Sequence, residues 1–369
     1  MTFKTALTGL LFLGLLAAYA AFQYGGIADG PHEDVYEGGD ERLFFDISTH
    51  SFLGSPFPRT SMPEYAGVDG FYMRVPPLYT RLSSLSFQGF GHTIRSARLV
   101  SFGFSLLTLL GLFLWSCLLF PPPWPLLPPL LAGAVPVFQL FSRTAVLDMT
   151  YTFFSLMGLG AYAFYDRRRT LPRLLLLGVA AGLALATKQL AVILIGALWA
   201  HHFVVTTRRE PDVLRIAIPS LRHFVLMLAL TGATFLALTP SFLDHPLLAA
   251  KQLVWMELIT KVAWAVKGAR FPRPDAFFPL DVAFFLGGFV ALAVCRLLRR
   301  PLPPFFPFVI LAFAPGFLFP NAAHYTLSLV PILAITICCA IIPPRDRKTA
   351  AAEAPCGPLR GGGPTDRLA

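Results

Sequence analysis

The sequence predicts an all-α protein that crosses a membrane many times, and three observations carry that expectation. Of the 369 residues, 55% are hydrophobic and only 14% are charged, far below the roughly 25% charged residues of soluble domains. The apolar residues come in repeated runs of roughly 17–22, the length a helix needs to cross the hydrocarbon core. A transmembrane barrel would show shorter segments of alternating polarity instead. The basic residues collect in short connections between the runs, where they orient spans. The formal net charge of +10 therefore speaks for membrane topology, and nucleic acid is excluded as a partner.

Ten runs qualify as spans: residues 5–23, 97–120, 124–141, 146–165, 171–187, 189–206, 221–239, 277–296, 304–320 and 325–342. The first joins Lys4 to an apolar stretch and Ala18-Tyr19-Ala20, which imitates a cleavable secretory signal; its weakly basic start favours a retained helix. Proline marks the joints, as in Pro121-Pro122-Pro123 and Pro343-Pro344, where it does least harm to a helix. Lys188-Gln189 alone separates the fifth run from the sixth.

With a cytoplasmic amino terminus, the inner connections carry Arg167-Arg168-Arg169 with Arg173, then Arg208-Arg209 with Arg215 and Arg222. Arg296, Arg299 and Arg300 follow, and Arg345, Arg347 and Lys348 come last. The short outer connections are nearly bare of basic residues, Arg143 being the exception. Parity and charge agree on ten spans with both termini inside. Two long segments then lie outside, at about 24–96 and 240–276. Both mix aromatic, apolar and basic residues, which suits helices lying in the interface. Residues 1–344 are expected to form one transmembrane domain, and 345–369, rich in Ala, Gly, Pro and Arg, a disordered cytoplasmic tail. The five cysteines show no disulfide or zinc spacing. No Gly-rich phosphate loop, H-E-x-x-H or G-x-S-x-G is present.

The polar residues that orientation does not explain gather at run ends on the outer side. Asp40-Glu41 lies in the acidic, aromatic stretch Gly38–Asp46 that follows the first run, and Arg143 and Asp148 straddle the start of the fourth. Lys188 and Gln189 close the fifth run, and His324-Tyr325 opens the tenth. Each has a plain reading alone: Arg143 can snorkel, Asp148 can cap a helix, and Lys188 can occupy a turn. Their convergence on one face, opposite the basic connections, points instead to a site. Lys188 has no acidic residue near it in sequence, so its expected partner is an anion brought by another molecule.

Ser142-Arg143-Thr144-Ala145-Val146-Leu147-Asp148-Met149-Thr150, with Phe153-Phe154, resembles a loop signature of the dolichyl-phosphate-mannose–protein mannosyltransferase superfamily, and so does Gly182–Gln189. Asp40-Glu41, Pro76-Pro77-Leu78-Tyr79 and His324-Tyr325 with Pro331 resemble further family elements. The resemblance spans roughly residues 1–345, and the bacterial branch includes the aminoarabinose transferases that modify lipid A. Two departures stand out. Val75 precedes the proline pair where a polar residue is common, and the soluble carboxy-terminal domain of many relatives is not expected after the tenth run.

The resemblance implies a C-type (GT-C) glycosyltransferase bundle in a bacterial inner membrane, with its site facing the periplasm. It implies a polyprenyl-phosphate sugar donor and a protein, lipid A or glycolipid acceptor. It also implies a transfer that inverts the sugar. Asp40 is expected to act as base for the acceptor, and Glu41 to orient the acceptor or help hold a divalent cation. Arg143 and Lys188 are expected at the donor phosphate, Asp148 beside Arg143 or the sugar, and Gln189, His324 and Tyr325 near the donor. A lipid or sugar transporter, or a non-catalytic relative, remains the alternative; a transporter would show internal repeats and polar residues at the midplane.

Overall fold

The computed structural model describes residues 3–27, 39–55, 58–62, 76–209, 213–251, 279–314 and 326–342. Among these residues the protein is helical, without strands. It is an integral multi-pass membrane protein. The helices are α1 (Phe3–Gly25), α2 (Gly39–Phe52), α3 (Leu78–Phe90), α4 (Ile94–Leu119), α5 (Leu127–Ala134), α6 (Pro136–Arg143), α7 (Asp148–Arg167), α8 (Leu171–Thr187), α9 (Ala191–Arg209) and α10 (Val213–Leu238). Then follow two short turns of helix, α11 (Ser241–Asp244) and α12 (Pro246–Ala250), and α13 (Pro279–Leu297), α14 (Phe306–Phe313) and α15 (Val330–Ile341).

By length and apolarity four described helices can cross a bilayer, α1, α4, the Leu221–Leu238 part of α10, and α13; the α5–α6 pair makes five. The ten crossings read from hydropathy are thus not all present as straight apolar helices, for two physical reasons. Proline breaks the third run: α5 and α6 meet at a 69° bend, because Pro136 lacks an N–H and holds Val135 extended (φ −70°, ψ 121°). In addition, α7 lies inside the bundle against α4 and α8, so it need not be apolar and buries Asp148, Thr150, Thr152 and Ser155. The turn at Lys188-Gln189 does separate α8 from α9. The second long outer segment beyond Lys251, the tail, and the region of His324-Tyr325 lie outside the described residues.

Interhelical packing relies on small residues where there is no aqueous driving force to join helices. Gly178 and Gly182, one turn apart on α8, meet α10: a Cβ on Gly182 would lie 2.5 Å from Thr234 Cβ and 2.9 Å from the Thr231 carbonyl oxygen. Gly288 on α13 likewise admits Leu333 of α15. Gly182→Ala is therefore expected to destabilise the bundle by about 1–3 kcal/mol, as overpacking does. Gly160→Ala, with nothing within 4 Å of its Cβ, is the matched control. Thermal unfolding of the two variants in detergent should separate them; equal midpoints would show that α8 and α10 can move apart.

The segment between α1 and α4 builds a small cap from α2 and α3, which pack on each other and, through α3, on the start of α4. Phe45, Phe52 and Phe87 surround His92. Arg81 on α3 donates from Nη1 to the Leu238 carbonyl at 2.8 Å, satisfying an orphan acceptor at the end of α10. The cap is thus tied to the far side of the bundle.

Candidate active site

The site is assembled from helix ends. Asp40 and Glu41 occupy the first turn of α2, where a carboxylate is favoured by the helix dipole. Consecutive helical residues project about 100° apart, so the two carboxylates face different surroundings. Glu41 faces the bundle. Arg98, with no exposed surface, donates from Nε to Glu41 Oε1 at 2.7 Å and from Nη2 to Oε2 at 2.9 Å. The Ala145 backbone N–H adds a third bond to Oε1 at 2.7 Å. This bidentate fork is the strong form of an Arg–carboxylate contact. It pins the start of α2 to α4 and to the loop between Arg143 and Asp148.

Both Glu41 oxygens are thus engaged by a buried guanidinium. Among the described residues, no three His, Cys, Asp or Glu side chains gather around a common centre. Asp46, the other acid of the stretch, is also structural. Burial tends to raise its pKa, but hydrogen bonds from the Ser61 and Thr60 hydroxyls and the Ser61 N–H, together with His50, hold it below its ordinary value.

The loop after α6 is held at several points. Ser101 donates to the Val146 carbonyl at 2.9 Å. Tyr79, from the Pro-Pro-Leu-Tyr element, lies beside Ser101 and donates to the Ala97 carbonyl at 3.3 Å. Burial, with Glu41 adding to it, pushes the Tyr79 phenol far up against the opposing effect of Arg98 and the Ser101 and Ser83 hydroxyls, so it remains a neutral donor. Arg143 reaches the end of α1: its Nε donates to the Gln23 side-chain oxygen, and its guanidinium lies 4.7 Å from the Phe22 ring centroid. No described carboxylate forms an ion pair with Arg143.

Lys188 overturns its expected pairing. Its Nζ donates to Asp148 Oδ1 at 2.6 Å, with side chains 13% and 3% exposed. The anion comes from within the chain, forty positions away. The reason is the α7–α8 hairpin: Asp148 opens α7 and Lys188 follows the last residue of α8, so antiparallel packing brings the two together. Each charge also complements the dipole of its own helix end. Asp148 accordingly holds Lys188 and not Arg143. The Tyr151 ring lies 6.0 Å from Lys188 Nζ, and Gln189 sits half-buried in the following turn.

The structure thus brings Asp40, Glu41, Arg143, Asp148, Lys188 and Gln189 to one end of the bundle; His324 and Tyr325 lie outside the described residues. Sequence reasoning missed Arg98 and Gln23. Arg98 had a readable signal, an arginine at the head of an apolar run, which demands a partner. Gln23 had none beyond its place at the end of the first run.

The fold matches that of GT-C membrane glycosyltransferases. Residues 74–237 match the family model of dolichyl-phosphate-mannose-protein mannosyltransferase, which covers Tyr79, Arg98, Arg143, Asp148 and Lys188. Among solved structures, ArnT from Cupriavidus metallidurans in the apo state aligns with a TM-score of 0.60 at 18% identity, over 91% of this chain and 60% of that one. The same protein bound to undecaprenyl phosphate gives 0.56 at 19%, over 89% and 59%. The archaeal oligosaccharyltransferase AglB from Archaeoglobus fulgidus, in complex with an inhibitory peptide and a dolichol-phosphate, gives 0.56 at 16%, over 89% and 50%. The chain therefore spans about three fifths of the ArnT length and half that of AglB. No curated protein sequence matches it. These likenesses bear out the fold and the resemblance read from the sequence.

Proposed function

We propose that the chain is a glycosyltransferase that moves a sugar from a polyprenyl-phosphate donor to an acceptor hydroxyl, with inversion, on the outer face of a bacterial inner membrane. The observation that carries this reading is the gathering of Asp40, Arg143 and the Asp148–Lys188 pair at one end of a GT-C bundle. In the proposed step, Asp40 takes the proton of the acceptor hydroxyl, whose oxygen attacks the anomeric carbon. The bond from that carbon to the phosphate oxygen breaks, and the polyprenyl phosphate leaves with the electron pair. Phosphate is a good leaving group, so fixed positive charge is needed more than an acid.

Arg143 is the residue we favour for the main phosphate role. Lys188 is already neutralised by Asp148, whereas Arg143 has only a neutral amide and an aromatic ring as described partners. Its planar fork also suits a phosphate better than a point charge does. An apolar cavity of about 220 Å³, lined by Phe12, Leu16, Tyr19, Leu109 and Pro129, supports a place for the isoprenoid chain. Tyr19 leads from it to the site through a 2.9 Å hydrogen bond to Ser142, the neighbour of Arg143.

The test is donor binding and turnover by detergent-purified protein. Arg143→Gln should weaken binding of a polyprenyl-phosphate sugar roughly 10- to 150-fold, the range for loss of a charged hydrogen-bonded contact of about 1.5–3 kcal/mol. Lys188→Met is the poorer probe, because it removes the counter-charge of the buried Asp148. Unchanged affinity in Arg143→Gln would remove the phosphate from this place. Recovery of intact donor on the opposite leaflet, without glycosylated product, would sink transfer altogether in favour of transport.

A further inference from the structure

We infer that the opposite end of the bundle holds a separate binding site for the phosphate headgroup of an anionic phospholipid. A cavity of about 250 Å³ opens there between α7, α8 and α10, its wall made of the polar Tyr165, Arg169, Arg222 and His223 and the apolar Leu171, Leu174 and Leu226. α7 has 20 residues, so about 30 Å separates this cavity from Asp148 at the other end of the helix. One ligand phosphate cannot serve both places, and this inference does not rest on the glycosyl-transfer reading.

The polar wall is built and not merely charged. The Tyr165 hydroxyl and His223 Nδ1 share a hydrogen bond of 3.0 Å, which fixes the imidazole. Arg169 donates from Nη2 to Thr206 at 3.1 Å, which steadies its guanidinium. Arg222 makes no ion pair or hydrogen bond with a described residue. Both arginines are near enough to His223 to act on it through space. Asp166 acts on Tyr165 but forms no ion pair with either arginine. Orientation of spans requires only positive charge in a connection; it does not require two arginines to share a cavity around an immobilised histidine.

The apolar wall selects the class of ligand. It continues onto the surface of the spans, where Leu171, Leu221 and Val225 are 58%, 59% and 56% exposed. A soluble phosphate would use only the arginine side. A lipid phosphodiester uses both, its phosphate between the two forks and its first chain carbons along the leucines. Basic pockets between membrane helices recognise anionic headgroups by this combination.

Native mass spectrometry of the full chain in detergent tests the site, titrated separately with short-chain phosphatidylglycerol, the matching phosphatidylcholine and inorganic phosphate. Wild type should retain phosphatidylglycerol, and Arg169→Gln/Arg222→Gln should weaken it about 30-fold, while Arg169→Lys/Arg222→Lys keeps most of it. Arg222→Gln alone, at an exposed side chain without a described partner, should weaken it about 5-fold and leave the unfolding midpoint unchanged. Equal retention by wild type and the glutamine variants overturns the proposal. So does phosphatidylcholine bound as tightly as phosphatidylglycerol, or inorganic phosphate displacing the lipid at equal concentration, which would make the cavity a soluble-anion site.

Discussion

Asp40→Asn is expected to lower sugar transfer by about 10²–10⁴-fold, the contribution of a positioned general base, while the protein still accumulates in the membrane. The substitution keeps the shape of the side chain and the helix start but removes the basic oxygen. The structure ties two neighbouring acids to other groups. Glu41 is committed to Arg98 and Ala145, and Asp46 to Thr60 and Ser61. Asp40 projects about a quarter-turn away from Glu41 and is only partly buried. Initial rates of transfer by purified wild type and Asp40→Asn decide the matter. A rate within about 3-fold of wild type, well short of a general-base loss, would show that the acceptor is deprotonated elsewhere.

Arg98→Met should destabilise the protein by about 3–5 kcal/mol, because it leaves the Glu41 carboxylate buried without its counter-charge. The guanidinium has no exposed surface, and both of its bonds to Glu41 are within 2.9 Å. Glu41→Gln/Arg98→Met should recover much of that loss, since no unpaired charge then remains, and the difference between the single and double variants measures the coupling. Transfer should stay low in the double variant. The link that sets α2, and with it Asp40, against the Arg143–Asp148 loop would still be broken. Chemical denaturation in micelles and the transfer assay read the two effects separately. A stability loss below about 1 kcal/mol, the worth of an exposed pair, would mean that Glu41 escapes to water when Arg98 is gone.

Much of this protein is legible from hydropathy and charge. The apolar runs predict helices where α1, α4, α8, α9 and α13 lie, because a helix in lipid must be long, apolar and internally hydrogen-bonded. Those requirements are local in sequence. The candidate residues at the outer run ends are legible for the same reason: a charge beside an apolar run is costly and therefore conspicuous. The bend at Pro136 was open to the same kind of reading, since proline acts on its own turn, yet hydropathy alone averages across it.

Only the tertiary structure decided who pairs with whom. Lys188 finds Asp148, and Glu41 finds Arg98, across 40 and 57 positions of chain. No local rule carries such a distance. The first pair depends on the antiparallel packing of α7 and α8, the second on the start of α2 meeting the start of α4. The Asp148–Lys188 pair leaves Arg143 a cation with no described carboxylate, and the Arg98 fork holds Glu41 in place next to Asp40. The sequence by itself determined which charges stand at the membrane boundary; the packing determined which of them are already neutralised, because electrostatic pairing falls off over a few ångströms in space and takes no account of separation along the chain.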